Sequence, residues 1–124
     1  MKFIPFLFIF IFLNNKLATD NLEGTWILEK IDTGEKNLVP EFEYILNLSN
    51  GYMSYTHICN RCQVAYKINN NKLSLESAPL CTRIFCGKNP DPIYDYLSPV
   101  GNYEVKGDKL IIQNPRAKLI FRKV

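Results

Sequence analysis

Apolar and polar residues alternate with a period of two along most of the chain after residue 21, and this alternation predicts β-strands. In the first stretch, Trp26 and Leu28 share one face, while Ile27, Glu29 and Ile31 lie on the other. The same alternation recurs in later stretches at Tyr44, Leu46, Leu48, Val64, Tyr66, Ile68, Leu73, Leu75, Tyr103, Val105, Leu110, Ile112, Leu119 and Phe121. About eight short strands at regular spacing are typical of a compact antiparallel β-barrel or sandwich rather than of βαβ units.

Turn residues separate these stretches at the positions where hairpins need them. Asn50-Gly51 separates the stretch that ends near Leu48 from the one that begins at Tyr52 and predicts a hairpin turn. Residues 69–71 are three asparagines, which tolerate left-handed backbone angles and predict a second turn. Gly107-Asp108 predicts a further hairpin near the carboxyl end, and Asn114-Pro115-Arg116 ends the strand that follows it.

One segment, residues 91–97, predicts a short helix. Asp91 suits the N-cap and Pro92 the first helical position, and Ser98-Pro99 would end the helix. Seven residues are too few for a stable isolated helix, so we expect this one to pack on the sheet. The predicted fold class is therefore mainly β, or α+β in the broad sense.

The amino-terminal residues have the layout of a secretory signal peptide. Lys2 precedes an eleven-residue apolar run, residues 3–13, and polar residues follow it. A membrane-spanning helix needs about 20 apolar residues, so no transmembrane anchor is expected. We predict a signal peptide over residues 1–19, with cleavage after Ala18 or Thr19, and one domain over residues 20–124. No cysteine lies near the junction, so the exported protein, periplasmic or secreted, is expected to lack a lipid anchor.

Composition and charge exclude some classes of function. The chain has 47% hydrophobic and 22% charged residues, values of a folded globular protein. Removing Lys2 and Lys16 from the 15 basic residues leaves 13 against 12 acidic residues, a net charge of +1. This balance disfavours nucleic-acid binding. With His57 as the single histidine, triad chemistry and His-rich metal sites are also disfavoured, and we expect no enzyme, cofactor or metal.

Four cysteines lie within 28 residues of one another: Cys59, Cys62, Cys81 and Cys86. An exported domain meets an oxidising environment, so two structural disulfides are expected, with three connectivities possible. If a hairpin turns at Asn70, opposed positions sum to about 141, and the pairs Cys62 with Cys81 (143) and Cys59 with Cys86 (145) come close to this register. Hairpin geometry therefore favours these nested pairs, each stabilising the fold by about 2–4 kcal/mol.

Other chemistry for these residues stays open at this point. The spacing C-x2-C then C-x4-C could supply four thiolates to zinc, with His57 as a spare ligand. Cys59 and Cys62 also form a CxxC redox motif, but the residues after it predict a strand and not the helix that activates such a thiol. His57 beside Cys59 could orient a thiolate nucleophile, although no third group is identifiable.

Aromatic residues suggest two further sites. Tyr52, Tyr55 and Tyr66 with Phe42 could form a platform for a carbohydrate or peptide, although aromatics at this period more often belong to a core. Trp26 follows Gly24-Thr25 on the first strand, a position from which its indole can plug one end of a barrel.

Several motifs resemble the META domain family, also called HslJ-like, of bacterial envelope proteins. The similarity covers residues 21–123 and includes the opening strand LEGTWIL at 22–28, the Cys59-Asn60 pair, Tyr66, the strand at 72–75, Thr82 with Cys86, Tyr94, Leu97, Tyr103, Gly107 and the strands at 110–112 and 119–121. The chain departs from the family pattern in having Cys62 and Cys81 in addition, and in having Ile58 where a glycine often precedes the Cys-Asn pair.

The resemblance implies a compact β-rich fold with one helix, an envelope or secreted location and a loose association with stress response. It implies no catalytic residues. We therefore interpret the chain as a non-enzymatic, monomeric binding or structural domain with an unknown protein partner. One alternative is a lipocalin-like carrier with an apolar cavity beneath Trp26. Another is an inhibitor of a secreted hydrolase that inserts the loop at residues 87–92.

These interpretations predict a definite mass for the exported protein. Two disulfides make it four hydrogens lighter than its reduced form, since the chain has four cysteines. Intact mass measured with and without reduction and a chelator checks this, and also locates the cleavage site. Four free thiols or a bound zinc ion would contradict both the disulfides and the export.

Overall fold

The computed structural model describes residues 22–87 and 92–124. The predicted signal peptide and the proposed N-cap Asp91 lie outside these residues. The described chain forms strands β1 Gly24–Asp32, β2 Asn37–Leu38, β3 Ile45–Ser49, β4 Tyr52–His57, β5 Asn60–Asn69, β6 Lys72–Leu75, β7 Leu80–Cys81, β8 Gly101–Lys106, β9 Lys109–Gln113 and β10 Lys118–Lys123. A 3-10 helix, Pro92–Tyr96, lies between β7 and β8.

Eight of the strands in the described residues form a closed antiparallel barrel. Their order is β1, β3, β4, β5, β6, β8, β9 and β10, and β10 pairs with β1 to close the sheet. The two short strands are additions to this barrel: β2 pairs with β1 beyond β3, and β7 pairs with β5 beyond β6. The predicted mainly-β barrel is confirmed.

The hairpin turns have the backbone angles that their residues favour. Asn50 and Gly51 both have positive φ, 52° and 81°, so the β3–β4 turn has the twist that suits a two-residue hairpin. Asn70 turns β5 into β6 with a φ of 57°, and Gly107 turns β8 into β9 with a φ of 61°. All three predicted hairpins are confirmed.

The first strand differs from the prediction at Ile31. Strict alternation assigns Ile31 to the face opposite Trp26 and Leu28, but all three side chains are buried in the core. The register between β1 and β10 shifts between Leu28 and Lys30, which leaves Glu29 as an extra residue. A β-bulge of this kind reverses the alternation, so the prediction for Ile31 was wrong.

The helical segment is shorter and tighter than predicted. It is a five-residue 3-10 helix, Pro92–Tyr96, whose last turn is closed by the Leu97 amide donating to the Tyr94 carbonyl over 3.2 Å. The described residues contain no α-helix, because a segment this short gains too few α-helical hydrogen bonds. Ile93 and Leu97 are buried, as the predicted packing on the sheet requires.

The barrel interior is filled by side chains from all its strands. The fully buried residues are Leu22, Trp26, Ile31, Tyr44, Leu46, Leu48, Met53, Leu73, Leu110, Ile112, Leu119 and Phe121. The Trp26 indole Nε1 donates to the Leu22 carbonyl over 2.9 Å, and the Tyr44 hydroxyl donates to the Leu97 carbonyl over 3.4 Å. Burial raises the pKa of Tyr44 well above its ordinary value. Ile68, predicted to face inward, is 36% exposed near the end of β5.

Asn114 is the buried polar side chain that connects the 3-10 helix to the β9–β10 turn. Its Nδ2 donates to the carbonyls of Tyr96 and Ser98 over 2.9 and 3.0 Å. Its Oδ1 accepts from the amides of Arg116 and Ala117, both over 2.8 Å. All four hydrogen-bonding positions of this side chain are thus used, and the Ala117 amide among its partners is buried.

We therefore expect Asn114→Ala to lower the free energy of unfolding by about 3 kcal/mol, because it leaves buried backbone groups without partners. Urea unfolding measures this loss. Asn102→Ala is the matched control, since Asn102 is exposed on β8, and it should change stability by less than about 0.5 kcal/mol. Equal losses for the two variants would show that Asn114 has no special structural role.

Candidate functional site: a disulfide-clamped apolar segment

The turn between β4 and β5 has an unusual backbone conformation. His57 pairs with Asn60, so Ile58 and Cys59 form a two-residue turn, and Ile58 has a φ of 60°. A β-branched residue rarely adopts this angle, whereas a glycine does so at little cost. The isoleucine therefore keeps the conformation expected of the glycine it replaces. Strain of this kind, about 1–3 kcal/mol, persists only where neighbouring contacts maintain it.

One disulfide joins β7 to β5, and a second joins the chain after β7 to this turn. Cys62 on β5 lies directly opposite Cys81 on β7, and the two are bonded. Cys59 in the turn is bonded to Cys86, with their Cα atoms 5.5 Å apart. These are the nested pairs that hairpin geometry favours. We call residues 80–87 the clamped segment.

Asn60 binds the clamped segment through both ends of its side-chain amide. Its Oδ1 accepts from the Ile84 amide over 2.6 Å and from the Thr82 hydroxyl over 2.9 Å. Its Nδ2 donates to the Ile84 carbonyl over 3.1 Å. The side chain thus pairs with the Ile84 backbone as a neighbouring strand would. This role explains why an asparagine follows the cysteine in the Cys59-Asn60 pair.

Thr82 continues the same network toward β5. Its hydroxyl accepts from the Arg61 amide over 3.0 Å, and its own amide donates to the Arg61 carbonyl over 3.0 Å. Together with the two disulfides, these contacts hold the clamped segment at four successive places. The motif residues that are far apart in sequence, Cys59-Asn60 and Thr82 with Cys86, therefore form one structural unit.

The clamped segment exposes large apolar side chains. Leu80 is 79% exposed, Ile84 60% and Phe85 86%. A shallow groove of about 260 Å³ lies beside them, lined by Ile58, Asn60, Ile84, Phe85, Cys86 and Gly87. Clustered exposed apolar residues on an ordered backbone are characteristic of an interaction surface. Sequence reasoning missed Ile84 and Phe85, whose only signal was their position between Thr82 and Cys86.

The two sequence segments that form this surface carry arginines. Residues 57–63 and 80–87 include two exposed arginines, Arg61 and Arg83, and no carboxylate. His57 is exposed, and its ring lies edge-on to that of Tyr94, with the ring centroids 6.3 Å apart. An apolar patch within segments that carry arginines and no carboxylate is suited to an apolar cleft with an acidic rim.

The alternatives proposed for the cysteines do not match this arrangement. The two cysteines of the CxxC motif are bonded to Cys86 and Cys81, and not to each other. Because Cys59 is bonded to Cys86, His57 has no neighbouring thiol to activate. In the part of the chain that the structure describes, no group of three or more metal-ligating side chains is present.

The aromatic residues proposed as a platform do not share a surface. Tyr66 is buried, Tyr55 packs against the core, and only Tyr52 is well exposed. Burial raises the pKa of both Tyr55 and Tyr66. Phe42 instead stacks on Tyr94, with ring centroids 4.9 Å apart. The platform prediction was wrong because these side chains fill the space against the barrel.

The position proposed for a ligand cavity is occupied by protein. Trp26 is fully buried among core side chains, and its indole Nε1 is bonded to the Leu22 carbonyl. Of the loop at residues 87–92, proposed for an inhibitor, residues 88–91 lie outside the described chain, and Gly87 is exposed. No helix among the described residues is long and apolar enough to cross a membrane.

Comparison with known families agrees with this architecture. The model of the META domain family matches residues 19–124, so the chain belongs to the META domain family. An NMR structure of a protein from Burkholderia xenovorans is similar, with a TM-score of 0.64, 20% identity and 87% of each chain covered. At this identity the similarity shows the fold alone. The comparison with curated proteins finds no match.

The role of Asn60 is testable by substitution. Asn60→Ala removes the partner of the Ile84 amide, so we expect hydrogen exchange at Ile84 to accelerate at least tenfold and stability to fall by about 1–3 kcal/mol. Hydrogen exchange measured by NMR and urea unfolding give the two values. Asn69→Ala, at the exposed far end of β5, is the control and should change neither. Unchanged exchange at Ile84 in Asn60→Ala would contradict the proposed pairing.

Proposed function

We propose that this protein is a non-enzymatic, exported binding domain that presents the clamped segment to a protein partner in the periplasm or outside the cell. The observation behind this proposal is that Ile84 and Phe85 are highly exposed on a backbone held by two disulfides and by Asn60. A segment already ordered before binding loses little conformational entropy in the complex. We propose a monomer, and we propose stress-related expression on the family resemblance alone.

The partner's chemistry follows from the surface it must cover. Phe85 needs an apolar pocket, because an aromatic anchor contributes most when it is fully desolvated in the complex. Arg61 and Arg83 favour carboxylates at the rim of that pocket, which steer the encounter and select against basic partners. The proposed partner is therefore a protein that has an apolar cleft with acidic residues at its rim.

A photo-crosslinking amino acid placed at Phe85 in the exported protein tests this proposal. We expect a discrete protein adduct from position 85 and none from Val39, a matched control that is 71% exposed and lies outside the clamped segment. Arg83→Glu should abolish the adduct, since it places a carboxylate against the partner's acidic rim. A secreted hydrolase in the adduct, inhibited by the protein, would identify the partner class.

The purified partner then allows an affinity measurement. We expect Phe85→Ala to weaken binding by about 10- to 100-fold and Val39→Ala to leave it unchanged. Identical adducts from positions 85 and 39, or association of Phe85 with anionic lipid vesicles in place of a protein, would overturn the proposal.

A further inference from the structure

The two disulfides differ in how accessible they are to solvent. Cys62 is only 2% exposed and lies within the β5–β7 ladder opposite Cys81. Cys59 is exposed at the tip of the β4–β5 turn, and its partner Cys86 is half-buried. A thiol in solution can therefore approach the Cys59–Cys86 bond from the exposed Cys59 side, whereas the Cys62–Cys81 bond has one buried and one half-buried cysteine.

The two sulfur atoms of the exposed bond also have different surroundings. Cys86 Sγ accepts the backbone amide of Cys59 over 3.1 Å and Asn60 Nδ2 over 3.4 Å. The Ile84 carbonyl oxygen lies near both sulfurs, at 3.5 Å from Cys86 Sγ and 3.8 Å from Cys59 Sγ, so it disfavours a thiolate on either one. The two N–H donors are directed at Cys86 alone. Such donors stabilise a thiolate and make the sulfur a better leaving group.

We propose that the Cys59–Cys86 disulfide is a thiol-exchange site with a fixed direction of attack. A thiolate, from a low-molecular-weight thiol or from a cysteine of another protein, attacks Cys59 Sγ. A new disulfide forms between that sulfur and Cys59, the Cys59–Cys86 bond breaks, and Cys86 leaves with the electron pair as a thiolate. One disulfide and one thiolate are present before and after the step, so no oxidant or reductant is consumed.

The charge near the site favours an anionic attacking group. Arg61 and Arg83 are exposed in the two segments that the bond joins, and residues 57–63 and 80–87 include no carboxylate. A thiolate, or a thiol peptide such as glutathione with its carboxylates, is attracted by this local field. The co-reactant expected at this site is therefore a thiol compound that carries negative charge.

Exchange would also change the clamped segment. Opening Cys59–Cys86 leaves Ile84 and Phe85 attached to β5 through Cys62–Cys81, Thr82 and Asn60, with no disulfide on their carboxyl side. Regulation of partner binding by this release rests on the proposed function, whereas the exchange chemistry does not.

The first experiment uses the wild-type oxidised protein and needs no substitution. Reduced glutathione is added in limiting amount at neutral pH, free thiols are trapped by alkylation, and peptide mass spectrometry locates each modification. We expect glutathione on Cys59 and the alkyl group on Cys86, at least tenfold over the reverse pattern, with Cys62–Cys81 intact. Glutathione mainly on Cys86, or earlier opening of Cys62–Cys81, would overturn the proposal. Repeating the reaction with a cysteine on a folded protein distinguishes the two sources of thiol.

The second experiment measures the leaving group directly. In Cys59→Ser the free Cys86 keeps both N–H donors, and we expect its pKa about one unit below the ordinary 8.5, giving roughly tenfold more thiolate at neutral pH. In the matched variant Cys86→Ser, Cys59 should titrate with an ordinary pKa. Adding Asn60→Ala to Cys59→Ser should return the pKa of the Cys86 thiol toward its ordinary value, because it removes one of the two N–H donors. Equal pKa values for the two thiols would overturn the assigned direction, whatever the outcome of crosslinking at Phe85 in the oxidised protein.

Discussion

The pairing of β1 with β10 is the constraint on which the rest of the structure depends. These are the first and last strands of the described chain, and their contact closes the barrel so that neither edge is left with unpaired amides and carbonyls. Closure also brings Trp26 of β1 and Phe121 of β10 into the same core.

The clamped segment follows from a local shortage of backbone partners beside β5. β6 pairs with the second half of β5, β7 pairs with Cys62 and Gln63, and Thr82 after β7 adds a single backbone hydrogen bond to Arg61. The Asn60 side chain supplies that pairing for Ile84, and the disulfides reduce the number of unfolded conformations. Apolar side chains can then stay exposed without the backbone collapsing onto the core.

Two bonds of the same chemical type have separate consequences because their surroundings differ. The Cys62–Cys81 disulfide lies inside a β-ladder, where it supports the position of β7. The Cys59–Cys86 disulfide lies at a strained turn, with N–H donors directed at one of its sulfurs. The Asn60 side-chain amide takes part in both roles, because it hydrogen-bonds the Ile84 backbone and also donates to Cys86 Sγ. Structural support and exchange chemistry are therefore properties of one small network.

The sequence by itself determined the positions of the main strands, the turns at Asn50-Gly51 and Gly107, and the nested cysteine pairs. The strands and turns depend on neighbours a few residues away, which alternation and turn residues specify. The cysteine pairs follow the approximate register of one hairpin, from which the observed Cys62–Cys81 pairing is offset by two residues. Only the tertiary structure decided that Ile31 faces the core, because the bulge at Glu29 arises from pairing with β10. It alone decided that Asn60 binds Ile84 and that Phe85 is exposed, because both depend on contacts between segments more than 20 residues apart.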